Sequence, residues 1–446
     1  MKTSRIQPDS AISAAARTAA RPPSWQRIPA RIRDRFFPAL AYSGYAALWR
    51  ANTGSMWAFS MQSVAQGWLV VSLTESPMML GILGVFLSAP MVLLSPIGGL
   101  LADRLDRGRV IQAAQLMVLV GALTIGTLVA LNWIQIWHLI IFSIMNGTSF
   151  AASVPSRHAM VADLVPRKVV PNAVALNNTT HSTANFVGPA LAGFLVAAFG
   201  IASAYFVQVG AYVWSIVNVN LIGPTRTPPR GSASMLQTMR AGFGYVLRHK
   251  SIRSLLLLGL APSLLGWPVL TLTPAFVKLD LKGGPQDLGL LLGILGAGSL
   301  VGAMASILLT GVRAKGRMVI SALLIQGAMI LILAMSRSFI QAGLALWFIG
   351  FGQAVYFAFN HSIIQLLVPS EIRGRVISVW MIGWGLMPIG LLPISAVAER
   401  LGTTVAFAWA GSLTLLFVLS VAVLSRDLWN LRPDDAADDL PAREPA

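Results

Sequence analysis

The 446-residue chain contains no cysteine, which excludes disulfides, thiolate metal ligands and thiol nucleophiles. It is short of charge at 11%, and of acids in particular: 16 Asp and Glu stand against 33 Lys and Arg, a formal net charge of +17. A nucleic-acid binder gathers its bases on a polar face, whereas here they lie between apolar runs, so no nucleic-acid partner is expected. The Gly-x4-Gly-Lys-Ser/Thr loop of nucleotide-driven machines does not occur, nor does His-Glu-x-x-His or Gly-x-Ser-x-Gly. With five scattered histidines, the expectation is no enzyme, no cofactor and no metal site.

What is present is oil. Hydrophobic residues make up 55% of the chain and mean hydropathy is +0.70, far from a soluble domain. A membrane helix needs about 20 apolar residues. Twelve runs of that kind lie near 51–73, 78–101, 110–131, 135–155, 173–198, 202–222, 254–277, 287–311, 317–336, 339–366, 376–397 and 403–425. Backbone groups in lipid must pair internally, so these runs read as helices and the chain as an all-α integral membrane protein, its solvent the lipid bilayer.

Lys and Arg set the orientation. With a cytoplasmic N-terminus, every basic residue falls on a tail or an even-numbered loop except Arg50, Lys278, Lys282, Arg337 and Arg400. Both termini are therefore expected in the cytoplasm. Residues 1–44 read as a basic tail with no apolar h-region, unlike a secretory signal peptide, and 426–446 as an acidic tail. Between the sixth and seventh runs, 223–253 carries Met235, Leu236, Met239, Phe243, Val246 and Leu247 at helical spacing. That is the pattern of an amphipathic linker helix on the inner surface.

The two flanking segments, 45–222 and 254–425, echo one another. The charged loop Gly99-Leu-Leu-Ala-Asp103-Arg104-Leu-Asp106-Arg107-Gly108-Arg109 has a weaker counterpart in Gly311-Val-Arg313-Ala-Lys315-Gly316-Arg317. Leu164-Val-Pro166 follows the fourth run and Leu367-Val-Pro369 the tenth. Two echoes in register point to duplicated six-helix units.

Twelve runs in two related halves, with a Gly-x-Leu-Ala-Asp-Arg loop between the second and third, resemble the major facilitator superfamily. Ala102–Arg107, Pro155-Ser-Arg157, Leu164-Val-Pro166 and Asn172-Ala-Val-Ala-Leu176 are most similar to its bacterial drug and siderophore branch, the enterobactin-exporter-like group. The resemblance implies two pseudo-symmetric six-helix bundles in the cell inner membrane. It also implies an inner gate in which Asp103, with Arg104, Arg107 and Arg109 in its loop, meets the start of the eleventh helix, where Arg373 or Arg375 would be the partner. Asp106 stands where the family loop has its second glycine. Ala184–Gly193 resembles the superfamily's antiporter motif through Gly188, Pro189 and Gly193, with alanine in two glycine places. Many proton-coupled exporters of the superfamily carry an arginine within the fourth helix, and His138–Ser153 has none.

Polar residues inside apolar runs are costly and face a cavity or another helix. Gln62 and Gln66 lie four apart in the first run, Asn177, His181 and Asn185 repeat every four in the fifth, and the tenth holds Gln353, Asn360, His361 and Gln365. Each is open to two readings, interhelical hydrogen bonding or cargo contact. Trp267, Phe357, Met381, Trp384 and Met387 offer an adaptable apolar lining, or plain packing. No Asp or Glu falls in the middle of a run, so a proton would have to use a histidine, His181 or His361, or a rim acid. The expected function is a secondary transporter exporting small amphipathic compounds, with protons as the coupling ion. A nutrient or lipid transporter of the same fold, or a silent receptor or assembly partner, are the alternatives.

Overall fold

The computed structural model describes residues 37–223, 243–309, 311–312, 314–369, 372, 375–376, 379, 383, 385–425 and 429, without the side chains of residues 103 and 162. Among them there is no strand. The first seven helices are α1 (Ser43–Thr74), α2 (Pro77–Leu93), α3 (Ser95–Arg104), α4 (Arg107–Ala130), α5 (Ile136–Leu164), α6 (Val170–Phe199) and α7 (Ile201–Asn220). The second seven are α8 (Lys250–Leu258), α9 (Trp267–Ala275), α10 (Pro285–Leu308), α11 (Lys315–Met335), α12 (Phe339–Leu367), α13 (Met387–Leu401) and α14 (Thr403–Leu424).

Eight of the described helical stretches are long and apolar enough to cross a bilayer, or nine if the pair α2 and α3, bent by 46°, is one span. The bend falls at Leu94, between Pro90 within α2 and Pro96 opening α3, where proline removes a hydrogen bond and crowds the preceding turn. α1, α7 and α13 are not among the eight. α13 has only 15 described residues, and α1 and α7 carry polar side chains that they turn inward, Asn52, Gln62 and Gln208 among them. The described helices follow the order of the apolar runs, and the count of twelve is not reached by length and apolarity among the described residues.

The seventh run, read as one helix over 254–277, is a composite from Lys250 to Asp280. Wider π turns at Pro262–Gly266 and Phe276–Asp280 flank α9. Pro262, Pro268 and Pro274 lie six apart along it, and widened turns take up the hydrogen bonds that proline breaks.

Several ends follow local rules. Ser76 and Asp106 cap α2 and α4, their side chains accepting from Met79 N and Arg109 N. Asp106 in place of the second glycine therefore has a structural task. Gly200 (φ +83°) and Gly402 (φ +90°) turn α6 into α7 and α13 into α14 with no further residue. Only glycine adopts that backbone without strain.

Buried apolar side chains form three clusters. The largest joins both halves of the chain, running from Leu69 and Leu80 to Val269, Phe276, Ile394 and Phe407. The second, around Leu258, Val319 and Phe359, belongs to the second half alone. The third, around Leu48, Ile111 and Met160, belongs to the first. Among the described residues, the halves share one core at the end bearing Glu75 and have separate clusters at the end bearing Asp106.

Candidate functional site

At the Glu75 end the halves are held by small residues and by capped helix ends. α6 crosses α10 glycine on glycine: a Cβ on Gly193 would sit 2.8 Å from Gly289 Cα and 2.7 Å from Pro285 O. Gly296 of α10 lies as close to Asn185 O. On another side of α6, a Cβ at Gly188 would meet Ser60 of α1. The antiporter-like Gly188, Pro189 and Gly193 are thus at the α6 crossings with α1 and α10, where lost side-chain volume becomes close backbone packing.

Glu399 of α13 reaches across to α2, its Oε2 accepting from Ser76 Oγ at 2.8 Å and Met78 N at 3.0 Å. Lys278 answers from the second half by donating to Val71 O at 3.0 Å and pairing with Glu75 at 3.3 Å. An acid thus meets the first turn of α2 and a cation the last turn of α1, each matching the unsatisfied backbone groups there. Glu399→Ala is expected to free this end modestly, since the bonds are exposed. Alkylation of a Ser395→Cys reporter by a membrane-impermeant maleimide, on a chain with no other cysteine, should quicken about threefold.

The charged loop at the other end is tied within its own half. Arg107 is 3% exposed, donates Nε to Ala102 O at 3.1 Å and makes a salt bridge to Asp163 of α5. Its role is to hold the loop on α5, while Arg104 and Arg109 are exposed. The side chain of Asp103 and all of Arg373 lie outside the described residues, and Arg375 is half-buried.

The polar stripes resolve into separate networks. Gln62 Nε2 donates to Gln66 Oε1 (2.8 Å) and Gln66 Nε2 to Ser143 Oγ (2.7 Å), linking α1 to α5. Gln62 Oε1 is buried with no partner. In α6, Asn177 accepts from Asn52 Nδ2 at 3.3 Å, whereas His181 and Asn185 bond each other at 3.1 Å and are exposed. One sequence stripe is thus two sites.

Arg157 corrects the reading of the fourth run. An apolar run ending at 155 puts Arg157 in a loop and leaves the helix without an arginine; α5 continues to Leu164 and is apolar enough to span through Val161. Arg157 is 8% exposed and donates Nη1 to Asn52 Oδ1. The signal missed was Pro155, which a helix tolerates inside a packed bundle.

α12 has the same 29 residues as α5, and its Asn360 stands where Arg157 stands in α5. Asn360 is fully buried and donates to Tyr356 Oη at 2.5 Å and Leu255 O at 3.4 Å, joining α12 to α8 as Arg157 joins α5 to α1. Gln353 is half-buried on the same helix and Met387 is buried in α13, while Met381 and Trp384 lie outside the described residues.

Trp267 and Phe357 do share a cavity. It measures about 330 Å³ and opens between α8, α12, the positions Val379, Gly383 and Leu386, and the helical stretch 243–248. Leu256, Leu260 and Tyr356 add to its apolar wall, and Arg253 is the only charged one among the described lining residues. Val246 and Leu247, read as one face of the linker helix, line it too; residues 224–242 of that linker lie outside the described residues.

Comparison with known proteins agrees with this construction. The chain matches the family described as transmembrane secretion effector over residues 36–445. It is 26% identical over 409 residues to the MFS-type transporter YfiS of Bacillus subtilis, covering 83% of this chain and 93% of that one. To the staphyloferrin A transporter of Staphylococcus aureus it is 23% identical over 370 residues, 82% and 92% of the two chains. To macrolide efflux protein A of Streptococcus pyogenes it is 21% identical over 388 residues, 84% and 94%. In fold it is similar to the inward-facing, unoccupied crystal structure of a bacterial homolog of the lysosomal transporter Spinster. That match has a TM-score of 0.66 at 13% identity and covers 92% of this chain and 100% of that one. The loops, the glycine crossings and the relatives converge: the chain is a multi-pass membrane transporter, not an enzyme, and belongs to the transmembrane secretion effector family of the major facilitator superfamily.

Proposed function

We propose that this chain exports small amphipathic compounds of drug or siderophore type from the cytoplasm, by alternating access and in exchange for protons. In this reading 45–222 and 254–425 are six-helix bundles joined by the linker 223–253. The tails 1–44 and 426–446, and the Asp106 end, face the cytoplasm of a cell whose inner membrane holds the protein. The observation that carries the proposal is the distribution of the core: one cluster bridging both halves at the Glu75 end, and one cluster in each half at the Asp106 end. Such a molecule is closed on one side and divided on the other, the state in which cargo enters from the divided side. Basic residues crowd that side, as they do in cytoplasmic loops. Relatives named for macrolide efflux and for staphyloferrin A support an exported, amphipathic cargo. Cargo would contact Gln66, Asn177, His181 and Asn185 on one side, and Trp267, Gln353, Phe357, Met381 and Trp384 on the other, whereas Gln62 and Asn360, expected from the sequence to do the same, are buried in bonds between helices and within them. Closing the Asp106 end would bring Asp103 to the start of the eleventh helix, beside Arg373 and Arg375.

The test is transport in proteoliposomes under an imposed pH gradient with a panel of dyes, drugs and siderophores. At least one compound should move in the direction that the gradient drives, and Asp103→Asn should slow it about tenfold, on the order of the loss of one charge-assisted gate contact. If nothing moves, and the variant behaves as the wild type, the proposal fails.

A further inference from the structure

The cavity on the second half has apolar walls, with one cation and no carboxylate among its described lining residues. Arg253 is exposed at its mouth, and its guanidinium donates Nη1 to Leu247 O at 3.5 Å, the outer limit of a hydrogen bond. No carboxylate pairs with it among the described residues, so its guanidinium is the charge at the mouth. We infer that this cavity binds an amphipathic anion: an aromatic or aliphatic body inside, and a carboxylate on the Arg253 guanidinium.

Each part has a physical reason. Trp267 and Phe357 present rings, and Leu256 and Leu260 branched chains, to whatever lies within. That surface binds by apolar contact and does not select between ring systems. Selection comes from charge. A guanidinium offers two parallel N–H donors that a carboxylate fills and an amide does not, and a cationic head would meet repulsion from Arg253. A volume of about 330 Å³ is at the small end of ligand pockets. It holds a fused-ring body or one short chain, and is too small for both chains of a phospholipid. The inference rests on the exporter reading only in calling this anion cargo.

Three probes with one body test it: pyrenebutyrate, pyrenebutyramide and pyrenemethylammonium, titrated against the protein in phosphatidylcholine nanodiscs, with tryptophan-to-pyrene energy transfer as readout and empty discs as blank. The carboxylate should bind about tenfold more tightly than the amide, and the ammonium more weakly still. Arg253→Gln should bring the carboxylate to the level of the amide and leave the amide unchanged. Gly383→Leu should remove all three, because a Cβ there has Leu260 Cδ2 at 3.8 Å as its nearest neighbour and the longer side chain fills the void. Equal binding of carboxylate and amide by the wild type would overturn the inference, as would an Arg253→Gln variant that keeps the tenfold preference. Loss of the carboxylate's advantage when phosphatidylglycerol is added, with Arg253→Gln binding no less pyrenebutyrate, would assign the mouth to lipid and also overturn it. Arg253-dependent binding with no transport of any compound in proteoliposomes defeats the exporter reading and leaves the site. Transport of other compounds without that binding does the reverse.

Discussion

Gly289→Val is expected to cut the initial rate of transport about 100-fold, which corresponds to about 2.7 kcal/mol, while the protein still inserts and folds. A Cβ at Gly289 would lie 2.6 Å from Pro189 O and 2.7 Å from Gly193 Cα. Both neighbours are backbone, so no rotamer change relieves the clash. The strain falls on the α6 and α10 crossing, which closes the Glu75 end, and not on the interior of either half. The equilibrium should move toward molecules open at that end. Spin labels at Trp133→Cys and Arg337→Cys, on exposed positions beside that end, should then report a longer distance in the variant. Full activity with an unchanged distance distribution would mean that the crossing is not a working closure.

Asn52→Leu should be the most damaging single change in the first half. Among the described residues Arg157 donates only to Asn52 Oδ1, and it is 8% exposed, so the leucine leaves a buried guanidinium without its acceptor. Breaking such a contact from one side costs about 3 kcal/mol, because the charge remains and its compensation is gone. The apparent melting temperature in detergent should fall by roughly 5 °C. Adding Arg157→Met should recover most of that loss, since removing the charge removes the penalty. Transport should not recover, because an ionisable group inside a membrane bundle marks a working position. A double variant as unstable as the single one would show that the cost lies in packing around position 52.

The Gly99–Arg109 loop led to the right superfamily, and Ala102–Arg107 with Pro155-Ser-Arg157, Leu164-Val-Pro166 and Asn172–Leu176 to the right branch. That loop and the Ala184–Gly193 motif were legible for a physical reason. Both are local patterns, one fixed by the need of a short loop to face water and the other by the need of two backbones to touch. Helix order was equally local, as apolar runs must be about as long as the bilayer is thick. The fourth run shows the limit. Proline and arginine at 155–157 are signs of a helix end in isolation, yet α5 runs through both, with Arg157 bonded to Asn52 of α1. The Asn177, His181 and Asn185 stripe shows it again: a period of four puts three residues on one face, but α1 takes only the first of them.

By itself, then, the sequence determined the solvent, the helical class, the order of the helices and the places where small residues must sit, all of which follow from hydropathy, length and spacing along one segment. The tertiary structure decided which end is shut, that Arg107 belongs to Asp163, that Glu399 reaches Ser76, and that Trp267 and Phe357 share a cavity with Arg253. These are pairings between segments up to more than three hundred residues apart. Their energies depend on how two helices cross, and no periodicity within either helix contains that angle.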